Sequence, residues 1–171
     1  STYVGLTESH RRLLDAARLP VRRIVNPVPA ASASPENGDD TAALRKRLVH
    51  AAAKSGMTVD PCAPLSFYPA RTISRKNIAE AVLVATCMQD HILALGCAGT
   101  GEGDRANTAA LKDICSRYSL PVIFAAERFF SEKETGAPPL APLYRCADYI
   151  VSTSVAEGFG FALYEGWCYR K

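Results

Sequence analysis

The chain has 171 residues, 48% of them hydrophobic and 22% charged, with a formal net charge of +3 at pH 7. That balance fits one sizeable globular domain, or one domain with part of another, and excludes a disordered chain. The small positive charge includes no clustered basic arm, so nucleic acid is not an expected partner, and no apolar run approaches the ~18 residues of a membrane span. Six cysteines, at 62, 87, 97, 115, 146 and 168, form no C-x-x-C pair. Most lie in apolar segments, where cysteine acts as a small hydrophobe. Neither a disulfide framework nor a zinc site is expected, and a reducing, cytoplasmic location is favoured. The chain opens at Ser1 and stops at Lys171 just after a strong helix signal, which reads as part of a larger protein.

Residues 1 to 27 read as a short helix and a strand. Thr7 or Ser9 caps the helix, Leu13, Leu14 and Ala17 form its apolar stripe, and Pro20 stops it. The strand covers residues 21 to 25. Asn26-Pro27-Val28-Pro29 breaks regular structure, and residues 28 to 40, small and polar, read as a linker at a domain boundary. A second helix is predicted over residues 41 to 55, capped by Asp40 or Thr41 and closed by Gly56. Leu44, Leu48 and Ala52 make its apolar face, and its lysines and arginines read as a solvated one.

From Leu65 the pattern becomes regular. Residues 65 to 68 predict a strand, 69 to 77 a positively charged loop, and 78 to 88 a helix with Ile78, Ala81, Val82 and Ala85 on one face. A strand over 91 to 96 and a glycine-rich loop over 99 to 104 precede a helix over 107 to 118, with Leu111, Ile114, Cys115 and Tyr118 inward. Residues 121 to 126 predict a third strand, 127 to 139 a longer loop, and the region of Leu143 and Tyr144 a short helix. A buried fourth strand over 148 to 152 and a fourth helix over 160 to 169 close the chain. Strands alternating with helices of this length require right-handed crossovers: an α/β, Rossmann-like parallel sheet with helices on both faces, incomplete after four units.

A doubly wound sheet reverses its strand order between the first and fourth strands, and ligands bind beyond the carboxyl ends there. The loop after the first strand carries Arg71, Arg75 and Lys76; the loop after the fourth carries Ser154, Glu157, Gly158, Phe159 and Gly160, with Glu165 on the helix that follows. One crevice then has cations on one wall, and carboxylates and glycine amides at a helix N-terminus on the other. A nucleotide-sugar, with phosphates at one end and hydroxyls at the other, matches both. Arginine and lysine would stabilise a departing diphosphate without a metal. The carboxylates would accept from ribose or hexose hydroxyls, or the first would lie near the reacting carbon.

Other motifs read as structure. Gly99-Thr100-Gly101-Glu102-Gly103-Asp104 mimics a dinucleotide fingerprint but follows the second strand, and Asp104 would repel a phosphate; it reads as a loop and helix cap. His10, His50 and His91 are scattered, and Ser152 and Ser154 have no nearby histidine for a hydrolase triad. Trp167 and Tyr169 read equally as core or as a sugar platform.

The segment Ser154 to Glu165 resembles the E-x7-E signature of retaining glycosyltransferases with two Rossmann-like domains, the GT-B fold, whose members include glycogen and sucrose synthases and bacterial mannosyl- and glucosyltransferases. Arg71 and Lys76 match that family's diphosphate-binding pair, and Asn26-Pro27 resembles its interdomain hinge. The resemblance implies that residues 1 to 27 are the tail of an N-terminal domain, and residues 41 to 171 a truncated C-terminal, donor-binding domain. It implies that Arg71 and Lys76, with Arg75 supplementing them, hold the diphosphate, that Glu157 acts at the donor sugar, and that Glu165 binds the ribose. Ser154 and the amides of Gly158, Phe159 and Gly160 would line the rest of the donor site.

The implied chemistry is retaining hexose transfer from a UDP- or GDP-sugar, with no metal and no further cofactor. The partners implied are that donor and a sugar or lipid acceptor, with peripheral membrane association of the larger protein and self-association through an exposed sheet edge. The segment alone would be inactive. Three positions depart from the family pattern: Ala70 and Asn77 stand where glycine is common, and Gly166 where alanine is usual. Two other readings of the same residues are a non-catalytic nucleotide-sugar-binding module and a purely structural α/β domain.

Overall fold

The computed structural model describes residues 3–5, 8–19, 21–23, 38–54, 56–57, 59–88, 91–130, 140–156 and 161–169. Near the start, β1 (Tyr3–Gly5), α1 (Glu8–Ala16) and β2 (Val21–Arg23) form a βαβ unit whose two strands pair in parallel. The hinge residues Asn26 and Pro27 and most of the expected linker lie outside the described residues. Helix α2 (Gly38–Lys54) starts earlier than the sequence predicted. It closes at Gly56, whose φ of +83° suits glycine.

The main sheet contains β3 (Leu65–Arg71), β4 (Ile92–Cys97), β5 (Val122–Ile123) and β6 (Tyr149–Ile150), all parallel, in the order β5-β4-β3-β6. This is the reversal expected from the alternation: β3 has β4 on one side and β6 on the other. Helices α3 (Ile78–Cys87) and α4 (Glu102–Arg117) serve the crossovers running one way, and α5 (Ala141–Cys146) the return to β6. A right-handed return must lie on the opposite face, so both faces are covered. The last helix is α6 (Phe161–Cys168).

Side-chain alternation divides the strands between two cores. Leu65, Phe67, Ile92, Ala94 and Ile123 pack with α2 and α5. Tyr68, Leu93, Leu95 and Val122 pack with Ile78, Ala81, Val82 and Ala85 of α3 and Cys115 of α4. Strands buried on both faces read as continuous apolar runs, and each large side chain so buried contributes about 1.5–3 kcal/mol. Among the described residues no helix is long and apolar enough to cross a membrane.

Several sequence expectations change. Strand β3 runs on through Pro69 to Arg71, with a register shift between Tyr68 and Arg71; an irregularity is where a strand tolerates a residue without an N–H. Helix α4 starts at Glu102 rather than at residue 107, and Ile114 and Tyr118 are 45% and 67% exposed. The sheet beneath it ends in the two-residue β5, too narrow to cover that flank. Tyr149 in β6 is 52% exposed rather than buried, because among the described residues β6 pairs with β3 alone. Trp167, 69% exposed, is not core. All six cysteines are free thiols; Cys115 and Cys146 are buried, whereas Cys62 and Cys87 are exposed.

Arg45 is a tertiary clamp rather than part of a solvated face. Its Nη1 donates to Asp148 Oδ2 at 2.8 Å, its Nε to the Pro61 carbonyl at 3.3 Å, and its Nη2 to the Ala63 carbonyl. The same Asp148 oxygen accepts the Leu65 N–H at 2.7 Å, so one carboxylate ties the starts of β3 and β6 to α2.

Candidate functional site

The site is built where the loops after β3 and β6 meet. Beyond Arg71 the chain makes a 3-10 turn, Ser74–Lys76, and then Asn77 takes left-handed φ and ψ of 48° and 51° before α3 begins. This explains one departure from the glycosyltransferase pattern. Glycine fits that conformation without strain, and asparagine is among the few other residues that adopt it. Asn77 precedes α3 without a side-chain bond to the helix backbone; its Nδ2 donates instead to the Glu80 carboxylate in the first turn. Asn77→Gly is expected to cost only about a few tenths of a kcal/mol, and Asn77→Val about 1–2 kcal/mol, in urea denaturation. Equal losses in the two variants would contradict a backbone-conformation role.

A buried tyrosine joins the two loops. Tyr68, 1% exposed, donates its hydroxyl proton to the Lys76 carbonyl at 2.7 Å. The same oxygen accepts from the Thr153 N–H at 3.2 Å and lies 3.0 Å from Ser154 Oγ. With its one proton already given to Lys76, the phenol accepts from Ser154. Thr153 Oγ1 shares its proton between the carbonyls of Asn77, at 2.8 Å, and Lys76, at 3.2 Å. The Val155 N–H donates to the Arg75 carbonyl at 3.1 Å, and Arg75 Nη1 returns a bond to the Ala156 carbonyl at 3.0 Å. The cationic loop and the serine loop are thus one hydrogen-bonded unit at the carboxyl end of the sheet.

The cations within this unit differ. Arg71 is exposed at the end of β3, opposite Cys97 in register. Arg75 is exposed, and its guanidinium holds the backbone just before residue 157. Lys76 is buried, with 8% exposure. Glu157, Gly158, Phe159 and Gly160 lie outside the described residues. Glu165, on the second turn of α6, is half-buried, and its Oε2 accepts the Tyr144 hydroxyl at 2.7 Å.

The glycine-rich segment behaves as a loop and helix start. Gly101 precedes α4, and the Gly99 N–H donates to Thr72 Oγ1 at 2.9 Å. A Cβ on Gly99 would lie 2.4 Å from the Thr72 carbonyl oxygen, so only glycine lets these backbones approach. Two cavities, of about 370 and 360 Å³, lie beside β5 and between α3 and α4. Neither is lined by Arg71, Lys76, Ser154 or Glu165.

Burial is the main cause that pushes the Tyr144 phenol above its ordinary pKa of 10.0; the bond to Glu165 and that carboxylate's charge add to it. An acid whose pKa is raised on folding contributes stability that is complete below its unfolded value and is lost as pH rises through the folded one. Stability should therefore fall from near pH 10 upward, and Tyr144→Phe should flatten that fall in melts taken across the alkaline range. An unchanged alkaline slope in the variant would count against the contact.

Sequence reasoning did not single out Tyr68, Tyr144 or Thr153 for the site. A signal existed for the first: a tyrosine inside an otherwise apolar strand must bring its hydroxyl to a partner when buried.

The fold is a Rossmann-like α/β unit of the GT-B kind. It matches Anabaena HepE, solved in complex with UDP, with a TM-score of 0.60 at 15% identity, over 97% of this chain and 42% of that one. It matches sucrose-phosphate synthase from Thermosynechococcus elongatus with a TM-score of 0.58 at 20% identity, over 96% of this chain and 39% of that one. In sequence it is 33% identical over 120 residues to mannosylglucosyl-3-phosphoglycerate synthase from Petrotoga mobilis. That match spans 66% of this chain and about a fifth, 21%, of the curated relative. No family model matches the chain.

Proposed function

We propose that the chain is the donor-binding part of a retaining glycosyltransferase that uses a nucleotide-diphospho-sugar. The observation that carries this reading is the stitching of the loops after β3 and β6, which brings the backbone of Arg75 and Lys76 against that of residues 153 to 156. The similarity to a mannosylglucosyl-3-phosphoglycerate synthase, and the shared fold with a protein solved in complex with UDP, support it.

In this reading Arg71 and Arg75 face the donor diphosphate and offset the charge that develops as it leaves. Lys76, being buried, acts through the position of its loop as well as its charge. Ser154 lines the site, Glu165 accepts from the ribose, and Glu157 with the amides of Gly158, Phe159 and Gly160 meets the sugar. These last roles rest on the resemblance alone. Transfer with retention, to a sugar or lipid acceptor and without a metal, would belong to a protein with further donor and acceptor contacts.

Titration with UDP- and GDP-sugars tests the reading. Arg71→Ala and Glu165→Ala are each expected to weaken binding by roughly ten- to a hundredfold, about 1.5–3 kcal/mol. Affinity should also fall as ionic strength rises. Unchanged affinity in both variants would reject the site. Binding without hexose transfer in the complete protein would leave a nucleotide-sugar-binding module in place of an enzyme.

A further inference from the structure

The buried phenol of Tyr144 has no part in the roles assigned so far. Its ring is 3% exposed and immobilised on two sides. Phe67 from the centre of β3 meets it edge-on, with centroids 5.1 Å apart and planes at 85°. Tyr169, just past α6, stacks on it at 5.0 Å with planes at 4°. A phenol held this way has one remaining freedom, the direction of its O–H, and that proton goes to Glu165 Oε2 at 2.7 Å.

We propose that Tyr144 is a positioning residue for Glu165, fixing the carboxylate on α6 so that its second oxygen meets the donor ribose hydroxyls. The proposal rests on the donor reading given above. A glutamate side chain has three rotatable bonds and would otherwise sample many orientations, losing conformational entropy when it grips a ligand. The bond to a rigid phenol removes that freedom before the ligand arrives. It also uses only one carboxylate oxygen, which leaves the other to accept from a vicinal diol. A backbone carbonyl would have satisfied Tyr144 as well for stability alone; a half-buried carboxylate on the helix after the β6 loop serves both purposes.

The discriminating probes are UDP and GDP with intact ribose and as their 2′,3′-dideoxy forms, titrated by calorimetry into the chain and its variants. Tyr144→Phe keeps the ring and its packing and removes only the hydroxyl. It is expected to weaken the intact nucleotide about five- to tenfold and the dideoxy form less than about twofold. Glu165→Gln should show the same selectivity, and the double variant should lose little more than Glu165→Gln alone, because the tyrosine acts through the glutamate. Equal weakening of both nucleotide forms by Tyr144→Phe, or no weakening, would overturn the positioning role while Glu165→Gln still discriminated. If Glu165→Gln itself did not discriminate, the ribose assignment would fail, and this proposal with it. A thermal melt of Tyr144→Phe separates these outcomes from unfolding, and Glu165→Asp, should the phenylalanine variant not fold, keeps the carboxylate but draws it back from the phenol; binding of the intact nucleotide unchanged in that variant would overturn the positioning role.

Discussion

Replacing Phe67 by alanine is expected to lower the unfolding free energy by about 3–5 kcal/mol. Phe67 is 0% exposed and sits mid-strand in β3, paired in register with Ala94 on one side and Ile150 on the other. Its ring supports Tyr144, so the cavity left by truncation opens beneath the phenol that holds Glu165. Urea denaturation should show the loss, and donor affinity should fall with it. A loss below about 1 kcal/mol would mean that the core does not close around this ring. Phe67→Leu, which keeps most of the volume, should recover much of the stability, but not the edge contact with Tyr144.

Tyr68→Phe is the second large effect and the more informative for function. The ring still fits, but three hydrogen bonds at one oxygen are lost: to the Lys76 carbonyl, from the Thr153 N–H and with Ser154. Lys76 keeps Thr153 Oγ1 as a donor, whereas the Thr153 N–H loses the phenol as its acceptor. Leaving such a group unpaired costs about 1–3 kcal/mol. The consequence is local: the serine loop loses its anchor to the cationic loop. Amide exchange at Thr153 and Val155 should speed up by roughly tenfold for each 1.4 kcal/mol of local stability lost, with the β4 amides unaffected. Donor affinity should fall as the two walls decouple. Unchanged exchange at both amides would show that the remaining bonds, Val155 to Arg75 and Arg75 to Ala156, hold the loops on their own.

Legibility in the sequence follows the range of the interactions. The inward face of α3, Ile78, Ala81, Val82 and Ala85, was readable from spacing, as were the parallel sheet and the reversal of its order at β3. Burial departs from the spacing where an element's surroundings decide it. Ile114 and Tyr118 have the right spacing for a core, yet the narrow β5 edge leaves them exposed. Arg45 looks like one more charge on a helix until Asp148, far along the chain, is folded against it.

The same division applies to the site. The chain's order of apolar runs, glycines and prolines determined by itself which loops share the switch point, because handedness and strand pairing leave little choice once the alternation is set. Only the tertiary structure decided which atoms join those loops. Tyr68 reaches Lys76 and Ser154, and Tyr144 reaches Glu165, across 86 and 21 residues at the farthest. A hydroxyl's partner depends on where its ring is packed, and packing is a property of the whole fold that no local pattern encodes.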